Sequence, residues 1–298
     1  MAQPQFPIYV VTKGRADSRI TIRLLTTLGV EFFAVVEEAE ADLYAAHIER
    51  RRILVLDPSF QRDYDTFDDL GESKSKGPGP ARNFAWAHAI DTGHAWHWVM
   101  DDNIRQFYRF NKNQKIACGD GTPLRVMEDF VLRYKNVAMA GPQYEMFAPR
   151  RSVLPPFVAN TRIYSCNLIR NDVTFRWRGR YNEDTDLSLR MLKSGWCTVQ
   201  FNAFLQDKVR TQAMPGGNTG EFYAREGTAP KSEMLVRMHP DVSRKAHRFS
   251  RDHHFVDYRP FSKNKLIRRP DVSIAKGVND YGLKVKSIPG GRTIKRVV

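Results

Sequence analysis

Two acidic segments of this chain have side chains and a setting suited to chemistry. The apolar run Trp96-His97-Trp98-Val99-Met100 passes directly into Asp101-Asp102-Asn103. Oxygen-bearing side chains at the end of a strand suit a hard divalent cation such as magnesium or manganese, and the same octapeptide also suits an Asx turn that closes the strand. The second segment, Asn182-Glu183-Asp184-Thr185-Asp186-Leu187-Ser188-Leu189-Arg190, places Asn182 as an N-cap with three acids in the first helical turn. Acids there complement the helix dipole by roughly 0.3–1 kcal/mol each. A carboxylate held at a helix start is also positioned to take the proton of an attacking hydroxyl.

The elements that must position these acids alternate. Ile8 to Thr12 reads as a strand, Lys13-Gly14-Arg15 as a turn, and Ile20, Leu24, Leu25 and Leu28 line one face of a helix that stops at Gly29. Phe32 to Val36 and Ile53 to Leu56 are further buried-type strands, with a helix over Ala39 to Ile48 between them. Such alternation predicts a mostly parallel sheet flanked by helices, whose ligands sit beyond the carboxyl ends of the strands. Asp63 to Asn83 is long and polar and reads as a functional loop, with helical spacing resuming over Ala81 to Ile90. Thr122-Pro123 opens another helix, and Val137 to Ala140 follows as a strand. After Tyr144 the pattern turns to α+β, with strands at Ile163 to Ile169 and Cys197 to Phe204 around a helix over Glu183 to Ser194. Beyond Phe204 it weakens, and Gly216-Gly217-Asn218-Thr219-Gly220 is a clear loop.

The chain's 298 residues are enough to bury a full core. No apolar run approaches bilayer length and the start through Val11 has no signal-peptide pattern, so a soluble, cytoplasmic protein without membrane association is expected. Cys118, Cys166 and Cys197 are widely spaced, with no Cys-x-x-Cys pair, and suit small reduced side chains. The net charge of +14 points to a polyanionic partner, whether nucleic acid or a phosphorylated small molecule. Lys263 to Val298 holds ten Lys and Arg against two Asp, which makes the end of the chain either a nucleic-acid arm or a solvated tail.

Taken together, a strand-end acidic cluster followed well downstream by a Glu-Asp pair at a helix start is the layout of a nucleotide-sugar glycosyltransferase of GT-A type. The segments Ile8-Tyr9-Val10-Val11-Thr12-Lys13-Gly14-Arg15, Gly79-Pro80-Ala81-Arg82-Asn83, His97-Trp98-Val99-Met100-Asp101-Asp102-Asn103-Ile104 and Asn182 to Arg190 resemble, in order and spacing, the TET-associated glycosyltransferases of bacteriophages. The resemblance spans most of Ile8 to Phe261. It implies a GT-A α/β fold over 1–261, with a nucleotide-sugar half (1–143), a smaller α+β acceptor half (144–261) and a basic extension (262–298). It implies transfer of a sugar from a UDP-sugar to the hydroxymethyl group of 5-hydroxymethylcytosine in phage DNA, within the cytoplasm of an infected host.

Residue by residue, the resemblance places Thr12, Lys13, Gly14 and Arg15 at the base and phosphate end of the donor, with Glu37 nearby and Arg82 facing the diphosphate. Asp101 would hold the ribose, and Asp102 with Asn103 a manganese or magnesium ion, completed by His254 or His253. The last position of the Asp-x-Asp-type motif is Asn here, which shifts the balance of metal charge to Asp102 and the diphosphate. Asp184 would be the general base, with Glu183 supporting it. Arg178 beside Trp177 and Tyr181 suits an acceptor strand, its arginine meeting phosphate and an aromatic stacking on a base; the aromatics suit a hydrophobic anchor equally well. Asn218, in the glycine loop, is a further acceptor contact. A transferase acting on a surface glycan or protein would fit the donor residues but leaves the basic tail without a purpose, and a non-catalytic DNA-binding accessory protein would tolerate loss of Asp102 and Asp184.

Overall fold

The computed structural model describes residues 2–68, 76–150, 154–209, 229–248 and 251–273. In chain order its main elements are Ile8–Val11 (β1), Ile20–Thr27 (α1), Phe33–Val36 (β2), Ala41–Ala45 (α2), Ile53–Val55 (β3), Pro58–Arg62 (α3), Gly79–Asp91 (α4), Trp96–Asp101 (β4), Ile104–Asn111 (β5) and Gln114–Ala117 (β6). Thr122–Val131 (α5), Val137–Tyr144 (β7), Phe157–Ala159 (β8), Cys166–Arg170 (β9), Glu183–Lys193 (α6), Cys197–Lys208 (β10), Ala229–Met238 (α7), Ser243–Arg248 (β11) and Arg251–Val256 (β12) follow.

One ten-stranded sheet runs β3-β2-β1-β4-β9-β7-β10-β5-β6, with β8 also on β10. β1 to β4 are mutually parallel, β9 is antiparallel to both its neighbours, and β10 is parallel to β7 but antiparallel to β5. Helices cover both faces. Ile8 and Val10 turn toward α1 and α5 (Leu24, Leu25, Leu124, Met127), whereas Tyr9 and Val11 turn toward α4 and α6 (Trp86, Ala89, Leu187, Met191). Burial on both faces is why β1 and β2 read as unbroken apolar runs rather than alternating ones. This bears out the expected GT-A-type α/β architecture, the parallel pairings lying mainly in its first half.

Two local readings differ, and one hairpin was not expected. The helix expected over Ala39 to Ile48 shrinks to a 3₁₀ turn at Glu38–Glu40 and the short α2. The loop expected to reach Asn83 ends at Gly79, where α4 begins. The stretch after Asn103 forms a β5–β6 hairpin, turning at Lys112 and Asn113 in the left-handed backbone pair of a type I′ turn. Gly141 lets β7 approach β9, since a Cβ there would lie 2.2 Å from the Cys166 carbonyl oxygen. Among the described residues no helix is long and apolar enough to cross a membrane.

Because strand order reverses around β1 and β4, their carboxyl ends open a crevice. Val11 pairs with Asp101 there, so Thr12 and Asp102 emerge side by side. β9, running the other way, begins at the same end, its Cys166 opposite Met100. The last residue of β10, Lys208, is paired with Ile104 just beyond the acidic turn.

Candidate active site

The four converging elements that carry the charged groups of this crevice are β4, α4, α6 and β10, with the β1–α1 loop, α2, β7 and β9 supplying further partners. At the end of β4, Asp102 accepts from Thr12 Oγ1 at 2.9 Å and is ion-paired with Arg15 Nη1. Thr12 is held in turn by the Tyr44 hydroxyl at 2.6 Å. Asp101 sits between two cations: its Oδ1 accepts from Arg82 Nη2 at 2.7 Å and its Oδ2 from Lys208 Nζ.

Arg82 ties the two acidic segments together. It lies in the first turn of α4 behind Pro80, and its Nη1 donates to Asp184 Oδ1 at 2.7 Å and to Glu183 Oε1 at 3.1 Å. Its guanidinium is almost wholly buried and lies 4.6 Å from the centre of the Trp177 ring. Asp184 also receives Asn167 Nδ2 at 3.3 Å and the Ser165 backbone N–H at 3.4 Å. Lys208 Nζ donates to Ser165 Oγ at 2.8 Å, and the Tyr144 hydroxyl is 2.6 Å from the same oxygen.

The charges respond to this packing. Burial, reinforced by Glu183 and Asp101, pushes the Asp184 carboxyl up to about 7 against the pull of Arg82 and Lys208. Burial also acts to raise Asp101, but Lys208 and Arg82 more than offset it and hold the carboxyl well below its ordinary range. Asp102 is raised by burial despite Arg15. Burial opposes the charge on Arg82 and on Lys208, yet the surrounding carboxylates keep both firmly protonated. The result is one carboxyl poised near neutrality beside another locked as an anion, the separation expected of groups with different proton-transfer roles.

The other expected site residues fall into groups. Lys13 pairs with Glu37 at 3.1 Å, Gln61 also bonds Glu37, and the Gly14 N–H reaches Glu40, so the β1–α1 loop and the end of β2 form one rim of the crevice. Trp177 is 2% exposed and Tyr181 5%, the latter packed with Met234 and Met238. Neither is open for a base to stack on; both are anchors, because Trp177 backs Arg82 and α7 covers Tyr181. Arg178 binds Asp186, a fully buried acid that also receives Arg190 and His239 and organises the start of α6. Asn182 is not a side-chain cap: it adopts a left-handed backbone and its Nδ2 donates to the Lys231 carbonyl. Asn218 and residues 274–298 of the basic extension lie outside the described residues.

The two histidines expected to complete a metal set do not join Asp101 and Asp102. His253 and His254 lie on β12, in a separate two-stranded sheet, and the charges that bear on His254 are Arg162, Lys231 and His253. All four oxygens of Asp101 and Asp102 already accept from protein groups, three of them from cations. Asn103 Oδ1 is buried without a partner, a lone neutral donor. Among the described residues no group of three His, Cys, Asp or Glu is placed to hold a metal ion. As arranged, Arg15, Arg82 and Lys208 already neutralise three of these oxygens, which leaves Asp102 Oδ2, held by the neutral Thr12 hydroxyl, and Asn103 Oδ1 as the pair that would hold a divalent cation.

Lys208, Ser165, Asn167 and Tyr144 were not singled out by the sequence. Lys208 lies four residues past the expected end of its strand, and nothing in its neighbours marks it. Ser165 carries a left-handed backbone at φ 64°, which no residue pattern announces.

A family model described as TET-Associated Glycosyltransferase matches residues 6–217, a span that includes all four converging elements. No curated protein matches the chain.

Proposed function

From the premise that this chain belongs to the TET-associated glycosyltransferase family, and is therefore a glycosyltransferase, we propose that it transfers a sugar from a UDP-sugar to the hydroxymethyl group of 5-hydroxymethylcytosine in DNA. The observation that carries the reading is Arg82, which joins Asp101 at a strand end to Glu183 and Asp184 at a helix start. Donor and acceptor chemistry then share one crevice.

In this reading the acceptor hydroxyl oxygen bonds to the anomeric carbon as the bond to the departing UDP breaks. Asp184 takes the hydroxyl proton, its Oδ1 held by Arg82 so that the carboxylate keeps one orientation. A carboxyl raised to about 7 suits that task, being substantially ionised at neutral pH yet basic enough to accept a proton. The charge gathering on the leaving diphosphate is met by the exposed Lys13 at the β1–α1 rim and by Arg15 and Lys208, whose burial makes their charges count most. No step is routed through a divalent cation. The net charge of +14 favours a polyanionic acceptor over a neutral glycan.

The test is to incubate DNA containing 5-hydroxymethylcytosine with a panel of UDP-sugars and weigh the nucleosides released on digestion. A hexose mass added with at least one donor is expected. No added mass with any donor removes the DNA acceptor from the reading.

A further inference from the structure

A row of rings leads away from Ser165, the residue whose N–H reaches Asp184. The Tyr144 and Tyr164 rings stack nearly parallel, 5.0 Å apart at 12°, and Phe147 tilts against Tyr144 at 5.7 Å. The Arg162 guanidinium lies 4.6 Å from the centre of the Tyr164 ring. The row starts within the active site, because the Tyr144 hydroxyl is bonded to Ser165, whose N–H reaches Asp184. It ends in solvent, where Phe147 is 53% exposed and Met146 beside it 52%. Two large apolar side chains exposed together beside a catalytic crevice are unusual for a surface turn that has nothing to bind.

We propose that Phe147, the exposed end of this row, is the platform on which an unstacked base of the acceptor strand rests at the mouth of the crevice that holds Asp184. This rests on the DNA-acceptor reading above. A hydroxymethyl group on a paired base must be brought to the proton acceptor, and a base drawn out of its stack needs flat surfaces to replace the ones it leaves. An aromatic ring supplies such a surface regardless of base identity. Charge fits the same occupant: Arg162, held over the Tyr164 ring, puts a cation on this row where a flanking phosphate would run. Trp177 and Tyr181, which the sequence suggested for stacking, are buried, and the exposed ring, Phe147, lies on the turn after β7.

The test uses the full chain and a short single-stranded oligonucleotide carrying 2-aminopurine at the position of the modified base, whose fluorescence falls when it stacks on an aromatic ring. Quenching is expected with the wild type. Phe147→Ala weakens binding by about ten-fold, the size set by a single base–aromatic stack, and Phe147→Trp restores it. Arg162→Gln lowers the slope of affinity against salt by about one counterion. Equal affinity and equal quenching for Phe147→Ala and wild type overturn the proposal, as does equally tight binding of an oligonucleotide that is abasic at that position. Quenching by a wild type that transfers no sugar to DNA would keep the platform and remove the transfer reading; transfer that Phe147→Ala leaves unchanged in acceptor KM would do the reverse.

Discussion

Replacing Arg82 with alanine removes a cation shared by Asp101, Glu183 and Asp184. The guanidinium is 2% exposed and its three partners are each less than one fifth exposed, so water cannot take its place as it would at the surface. Breaking a buried ion pair by deleting one partner costs about 3–5 kcal/mol. Lys208 remains on Asp101, which places the expected loss near the lower figure, about 3 kcal/mol at neutral pH. The pH dependence distinguishes this cause from a simple cavity. Asp184 is already raised to about 7 in the folded protein, so the stability it contributes is present at low pH and is lost as pH rises toward 7. Without Arg82 its folded value climbs further, and the loss continues to higher pH. Each further pH unit over which the folded variant keeps a proton that the unfolded chain has released costs about 1.4 kcal/mol. Urea unfolding of wild type and Arg82→Ala at about pH 6 and about pH 8 should therefore give a stability gap that widens with pH by on the order of 1 kcal/mol or more. A gap that is the same at both values would refute the electrostatic argument and leave only lost packing against Trp177.

The remaining outcomes follow from the same geometry. The rate of sugar transfer at low substrate should rise with pH through about 7 and then level, because Asp184 must be ionised to accept a proton; Asp184→Asn should lower it by about two to four orders of magnitude while donor binding persists, and a profile flat between about pH 5 and about pH 8 argues against Asp184 as the base. Trp177→Ala should cost about 3–5 kcal/mol on thermal or urea unfolding, as loss of a buried ring that backs Arg82; a folded, equally stable variant with weakened DNA binding would restore Trp177 as an acceptor contact. Gly141→Ala should give largely insoluble protein, since the added methyl meets backbone only 2.2 Å away, and a soluble variant with wild-type unfolding would show that β7 and β9 can separate. Sugar transfer should survive a chelator, measured by product mass, because three of the four acidic oxygens are already neutralised by Arg15, Arg82 and Lys208; abolition by chelator, reversed by added manganese, would mean that Asp102 Oδ2 and Asn103 Oδ1 take a cation with the donor.

The sequence by itself determined the strands and helices whose burial is uniform or one-sided, since a continuous apolar run or a 3.6-residue stripe is a local property of the chain. β1, β2 and β4, α1 and α6 were legible for this reason, and so were the two acidic segments and the large positive charge. It also ordered the motifs along the chain, which is enough for the family. What it left undecided were meetings across long separations. Arg82 and Asp184 are 102 positions apart, and Lys208 and Asp101 are 107. Which cation reaches which acid depends on β9 inserting antiparallel beside β4 and on β10 ending at the same edge. The same limit explains the aromatics. Trp177 and Phe147 are both large apolar side chains near charged neighbours, and only the packing of α4 beneath one, and of little among the described residues over the other, makes the first a buried anchor and the second an exposed ring. Local pattern states which side chains must be covered; topology decides what covers them, because burial is a sum over neighbours that the chain brings together only when folded.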